Sequence, residues 1–173
     1  MTVSSPFHRA DAFRRWIEGG YSNDAADRGG ETLFGISKRA HPDVDFATLT
    51  QESALVWFHD HYWLPIRGDE LPWPASFALY DWCVNSGDPE GASYPEREFQ
   101  TEIGATPDGA IGDATVRLAW DKAHVIGAPV LALNLHLRRS AFVAEIVKGD
   151  PSQVRFLKGW MKRLAVVASL LHT

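Results

Sequence analysis

Residues 18–37 read EGGYSNDAADRGGETLFGIS. Upstream of them, Ser5-Pro6 is an N-cap followed by a proline at the first helical position. Phe7, Ala10, Phe13 (or Arg14) and Ile17 then recur at helical spacing. A helix is therefore expected to run up to Glu18, where Gly19-Gly20 supplies a C-terminal stop. The stretch 20–37 alternates turn formers with short apolar pieces. It is expected to form a small irregular β-hairpin, with turns near Ser22-Asn23-Asp24 and Arg28-Gly29-Gly30.

That arrangement puts a carboxyl group at the negative end of a helix dipole, where most helices place Lys or Arg. The dipole disfavours the charged form, and partial burial against Trp16 or Tyr21 acts in the same direction. A general acid working near neutral pH needs such an environment. A solvated glutamate beside a glycine cap is the alternative. Asp27 follows Glu18 by nine positions, and Thr32 follows Asp27 by five. A hairpin folding back over the helix end can bring these groups to opposite sides of one cleft. One carboxyl can then protonate a leaving oxygen, while the other, with a hydroxyl, stabilises an oxocarbenium ion or positions a water.

Working outward, the rest of the chain reads as helices. Thr50-Gln51-Glu52 opens one that runs to about Tyr62 and closes at Pro65. A buried helix is expected from Pro74 to Asn85, and another from about Tyr94 to Ile103. The turn PDGAIG follows, then a helix from Asp113 to about His124, a long one from Pro129 to Lys148, and a last one from Asp150-Pro151 to about Leu171. The expected fold is mainly α with one small β element.

Composition narrows the function. The chain has 173 residues, 45% hydrophobic and 23% charged, which suits one globular domain. The formal charge is −5, against a nucleic-acid partner, which calls for a basic patch. The single cysteine, Cys83, allows no internal disulfide. The N-terminus MTVSSPFHRADAF has no apolar core of a Sec-type signal, so synthesis in the cytoplasm without that signal is expected. The longest apolar stretch, Leu164 to Leu171, is far short of the roughly 20 residues that span a bilayer, so no stable membrane insertion is expected.

The opening motif resembles the N-acetylmuramidases of glycoside hydrolase family 108, marked by EGGY followed by a D-x-GG-x-T-x-x-GI segment. The likeness continues through HPDVDFATLT, YWLPIRGDELP and LYDWCVNSG, and then through FQTEIGATPDGAIGDAT and FLKGWMKR, which look like a peptidoglycan-binding region. The order Glu18, Asp27, Thr32 is also similar to the Glu-Asp-Thr pattern of phage-type lysozymes, with one residue fewer between Asp27 and Thr32. The resemblance implies a lysozyme-like α+β fold in a single domain over residues 1–173, with a catalytic part at about 5–90 and a helical peptidoglycan-binding-like part at about 91–173. It implies cleavage of the β-1,4 bond between N-acetylmuramic acid and N-acetylglucosamine, with Glu18 as the acid, Asp27 and Thr32 as its catalytic partners, and no cofactor or metal. The expected partners are peptidoglycan and, for release to the cell wall, a holin of the kind that serves phage or prophage endolysins. A lytic transglycosylase and a non-catalytic wall-binding or secretion-accessory protein are the alternatives.

Tyr21, Asp81 and Asn85 are the candidate substrate contacts. Asp81 and Asn85 lie four apart on one helix face, where they can hold sugar N-acetyl or hydroxyl groups or tie down nearby backbone. Tyr21, Phe34, Trp63, Trp73 and Trp82 can stack on sugar rings, core packing being the alternative for each. His59 and His61, two apart on a helix, point away from each other and are not expected to share a metal ion. PDGAIG is expected to be chiefly a structural turn. The last helix, with Lys158, Lys162 and Arg163 beside an apolar stripe, is expected to dock that stripe on the core, contact with an anionic envelope being the alternative.

Overall fold

The computed structural model describes residues 6–18, 21–22, 31–86 and 94–172, and the side chains of Glu18, Tyr21 and Ser22 fall outside that description. Helix α1 spans Pro6–Glu18, as its proline and apolar spacing dictate. Phe7, Ala10 and Phe13 form its buried face. Three two-residue strands follow: β1 (Tyr21–Ser22), β2 (Thr32–Leu33) and β3 (Ile36–Ser37). They form an antiparallel sheet in the order β1-β2-β3. The hairpin expected over 20–37 thus carries a third strand. Its tight turn is Phe34-Gly35, where both residues have positive φ (50° and 86°), the twist that joins adjacent antiparallel strands most compactly. The turns expected at 22–24 and 28–30 fall largely outside the described residues.

Helix α2 (Gln51–Phe58) begins with a reciprocal cap, in which the Thr50 hydroxyl accepts from the Ser53 amide and the Ser53 hydroxyl accepts from the Thr50 amide. It continues into a π-helical turn, His59–Trp63. The wider turn shifts the register so that Phe58, Tyr62 and Trp63 all enter the core. Helix α3 (Ala75–Ser86) is buried along nine consecutive residues, from Ala75 to Cys83. A helix buried on all sides must sit at the centre, and α3 is packed by α1, α4 (Tyr94–Ile103) and α6 (Ala128–Gly149). Helix α5 (Asp113–Ile126) ends at Gly127, whose φ of 89° turns the chain into α6. Asp150 then caps a short 3₁₀ turn that leads into α7 (Val154–Leu170).

The buried apolar side chains form one connected cluster from Phe7 to Leu171. Val167 and Leu171 carry α7 into it, and Leu164 is buried beside them on the same helix, so the last helix does dock its apolar stripe. No helix among the described residues is long and apolar enough to cross a membrane.

Candidate functional site

Glu18 is the last residue of α1, and β1 begins three residues later. The strand register places Ser22 opposite Thr32 and Tyr21 opposite Leu33. Thr32, distant in sequence, is thereby returned to within one strand spacing of the segment leaving the helix end. It is half-buried and pairs on its other side with Ser37. Asp27 lies outside the described residues.

Arg14 and Asp11 fix α1 against this sheet and against α2 and α3. The Arg14 guanidinium, one turn before Glu18, donates to the Phe34 carbonyl at 2.8 Å and lies 3.6 Å from the centre of the Phe58 ring. The same side chain donates from Nε to Asp11 Oδ1 at 2.6 Å. Asp11, fully buried, also accepts from the Tyr80 hydroxyl at 3.3 Å, which joins α1 to α3. Sequence reasoning held Arg14 only as an alternate to Phe13 on the apolar face. Its signal was present: an arginine where the periodicity asks for an apolar residue, beside an aspartate at i−3.

Asp81 lies beneath the surface. It is 1% exposed and accepts from Arg139 at 2.5 Å and from Arg163 at 2.6 Å. Burial acts to raise its pKa, but the charges and hydrogen bonds of Arg163 and Arg139 prevail and hold the carboxyl below its ordinary value. Arg163 is thus a buried partner of Asp81 and not part of a basic outer face. Asn85, one turn on, is exposed at the surface, and its Oδ1 accepts from the second arm of Arg139 at 2.7 Å.

The aromatic candidates divide. Trp63 and Trp82, each 1% exposed, are core residues and offer no platform. Trp73 is half-buried, stacked on Phe77 with the Arg9 guanidinium 4.4 Å over its ring. Phe34 is half-buried in the β2–β3 turn. Trp16, two residues before Glu18, is 67% exposed and was not among the expected platforms. His59 pairs with Asp60, whereas His61 stacks on Trp57 and contacts its carbonyl. Among the described residues no group of three His, Cys, Asp or Glu side chains is placed to hold a metal ion. PDGAIG is fastened from within. Gln100, 1% exposed, donates to Asp108 and the Ala110 carbonyl and accepts from the Gly109 amide.

Residues 14–87, which contain the helix end, the sheet and α3, match the family model of glycosyl hydrolase 108. This part of the chain is similar to glycosyl hydrolase family 108. The family 108 region is followed by residues 95–165, which match the model of a predicted peptidoglycan domain. The whole chain is similar to a solved structure of Brucella abortus SagA, with a TM-score of 0.79 and 28% sequence identity over 95% of this chain and 92% of that one. Comparison with curated proteins gives no match. A family 108 region joined to a peptidoglycan domain makes the chain a glycoside hydrolase acting on peptidoglycan of the cell wall.

Proposed function

We propose that the protein is an N-acetylmuramidase of the lysozyme type, cleaving the β-1,4 bond between N-acetylmuramic acid and N-acetylglucosamine. The observation that carries this reading is the return of Thr32 on β2 to the strand that leaves Glu18, inside the segment matched by family 108. In this mechanism Glu18 protonates the leaving glycosidic oxygen. Asp27 stabilises the positive sugar or directs the attacking water, and the Thr32 hydroxyl assists it. Tyr21 and Asn85 hold substrate, and Asp81 supports Asn85 through their shared partner Arg139. The catalytic part and the peptidoglycan-binding part act as one domain. In its biological setting the protein is a phage or prophage endolysin, made in the cytoplasm and passed to the wall through a holin.

The test is digestion of purified murein sacculi by the wild type and by Glu18→Gln, with mass spectrometry of the soluble products. Reducing muropeptides from the wild type alone are expected. 1,6-Anhydro products would make the enzyme a lytic transglycosylase, and sacculus binding without soluble product would make it a wall-binding accessory.

A further inference from the structure

A cleft of about 170 Å³ opens where the family 108 region meets the peptidoglycan region, between the end of α3 and helices α6 and α7. That is room for a small substituent and part of one ring, less than a whole drug-sized ligand needs. Trp82, Asn85 and Ser86 line it from α3, Arg139 and Phe142 from α6, and Trp160 from α7.

The hydrogen-bonding state of these side chains defines what fits. Arg139 is donor-only, so the Asn85 oxygen must face it, at 2.7 Å. Asn85 Nδ2 makes no hydrogen bond among the described residues and is left as a donor on an exposed side chain. The Ser86 hydroxyl spends its proton on the Trp82 carbonyl at 2.8 Å, which leaves its oxygen as an acceptor. The same wall holds a further donor: Trp82 Nε1–H is buried without an acceptor among the described residues, a state proteins seldom leave unanswered. One donor and one acceptor on adjacent residues are the complement of a secondary amide. Its C=O takes the Asn85 proton and its N–H gives to Ser86 Oγ. The remaining wall is aromatic and aliphatic, which suits a methyl group and the apolar face of a pyranose ring.

We infer that this cleft binds the acetamido group of an N-acetylhexosamine, the amide lying between Asn85 and Ser86, the methyl toward Phe142 and the sugar face toward Trp160. The inference rests on peptidoglycan being the substrate, since its glycan strand carries one acetamido group on every sugar. Asp81 enters only as a positioning residue, because it fixes Arg139, which in turn fixes the Asn85 amide.

The test uses the full ¹⁵N-labelled chain and reads the side-chain amide of Asn85 and the indole N–H of Trp160 and Trp82 by NMR. N-acetylglucosamine monosaccharide is titrated against glucosamine, which lacks the amide, and against the dipeptide L-alanyl-D-isoglutamine, which carries amides without a sugar. Saturable shifts at these three groups with N-acetylglucosamine alone are expected. Asn85→Leu should weaken that binding about tenfold or more in a chain that is still folded by circular dichroism. No shifts, shifts equal with glucosamine, or unchanged binding by Asn85→Leu would overturn the inference. Shifts with the dipeptide alone would assign the cleft to the peptide stem and likewise overturn it. The titration is repeated on Glu18→Gln, where binding should persist, so that failure of this site and failure of the muramidase reading are read separately.

Discussion

Asp81 on α3 and Arg163 on α7 meet at 2.6 Å across 82 positions of sequence, both nearly removed from solvent. Arg139 closes on the other carboxylate oxygen at 2.5 Å. A buried carboxylate between two guanidinium groups is kept charged by them, and each guanidinium is kept from being an uncompensated buried cation by it. The three side chains come from both sides of the boundary between the family 108 and peptidoglycan regions.

Asp81→Asn should therefore destabilise the fold by about 3–5 kcal/mol, measured by urea unfolding at pH 7. The sign with pH follows from the lowered carboxyl pKa. A depressed folded-state value adds stability above the unfolded value of about 3.9, and that stability is lost as pH falls through the folded value. The wild type should lose stability faster than Asp81→Asn on acidification below about pH 4. Parallel curves would show that the cluster contributes nothing to acid unfolding.

His136 predicts a second window. It is buried on α6, and burial first, then the charge of Arg139, holds its pKa below the ordinary imidazole value, against the opposing effects of Asp81 and the Leu164 backbone. The unfolded chain thus takes up a proton on His136 before the folded one does. Stability should rise with pH as the unfolded value of about 6.5 is approached from below, and level off above it. Urea midpoints at pH 5 and pH 7 should differ more for the wild type than for His136→Gln.

Asp27→Asn should slow release of soluble muropeptides by less than Glu18→Gln does, since stabilising a developing positive charge is a smaller contribution than supplying the leaving-group proton. Turnover on sacculi measures both. An Asp27→Asn enzyme as fast as the wild type would remove Asp27 from the chemistry.

Arg14→Met should lower kcat about tenfold or more with little change in KM, because it cuts the link from α1 to the Phe34 carbonyl and lets the helix end shift against the sheet. Far-ultraviolet circular dichroism should stay that of the wild type. A change confined to KM would assign Arg14 to substrate binding instead.

Gly68→Ala should cost about 1–3 kcal/mol, since a Cβ there would overlap the buried Trp63 indole, whose side chain has no room to retreat. Thermal unfolding followed by tryptophan fluorescence reports both the loss and the displaced ring.

Most helices were legible from sequence because their ends carry physical signals: Pro6 at the start of α1, Thr50 at the cap of α2, Pro129 in the first turn of α6, Asp150 before α7. The third strand was not, because its turn places Phe34 at positive φ, a conformation that residue type does not advertise. In the candidate site, the spacing of Glu18 and Thr32 pointed to a shared cleft, and the strand register brings Thr32 to the segment leaving Glu18. The setting of Asp81 was hidden for another reason. Its partners lie 58 and 82 positions away, and no local periodicity signals a charge that is neutralised only by tertiary packing. For the same reason Arg163 read as a surface cation until α7 was seen against α3.

The cluster at Asp81 also constrains inheritance. Two regions that look like interchangeable cassettes share one carboxylate, and either region received alone from a relative would bring half of a charge balance. Chimaeras spliced between α3 and α4 should be viable only when the donor supplies a matched set at positions 81, 139 and 163, so this seam is a poor place for recombination and a good place to look for paired substitutions among descendants.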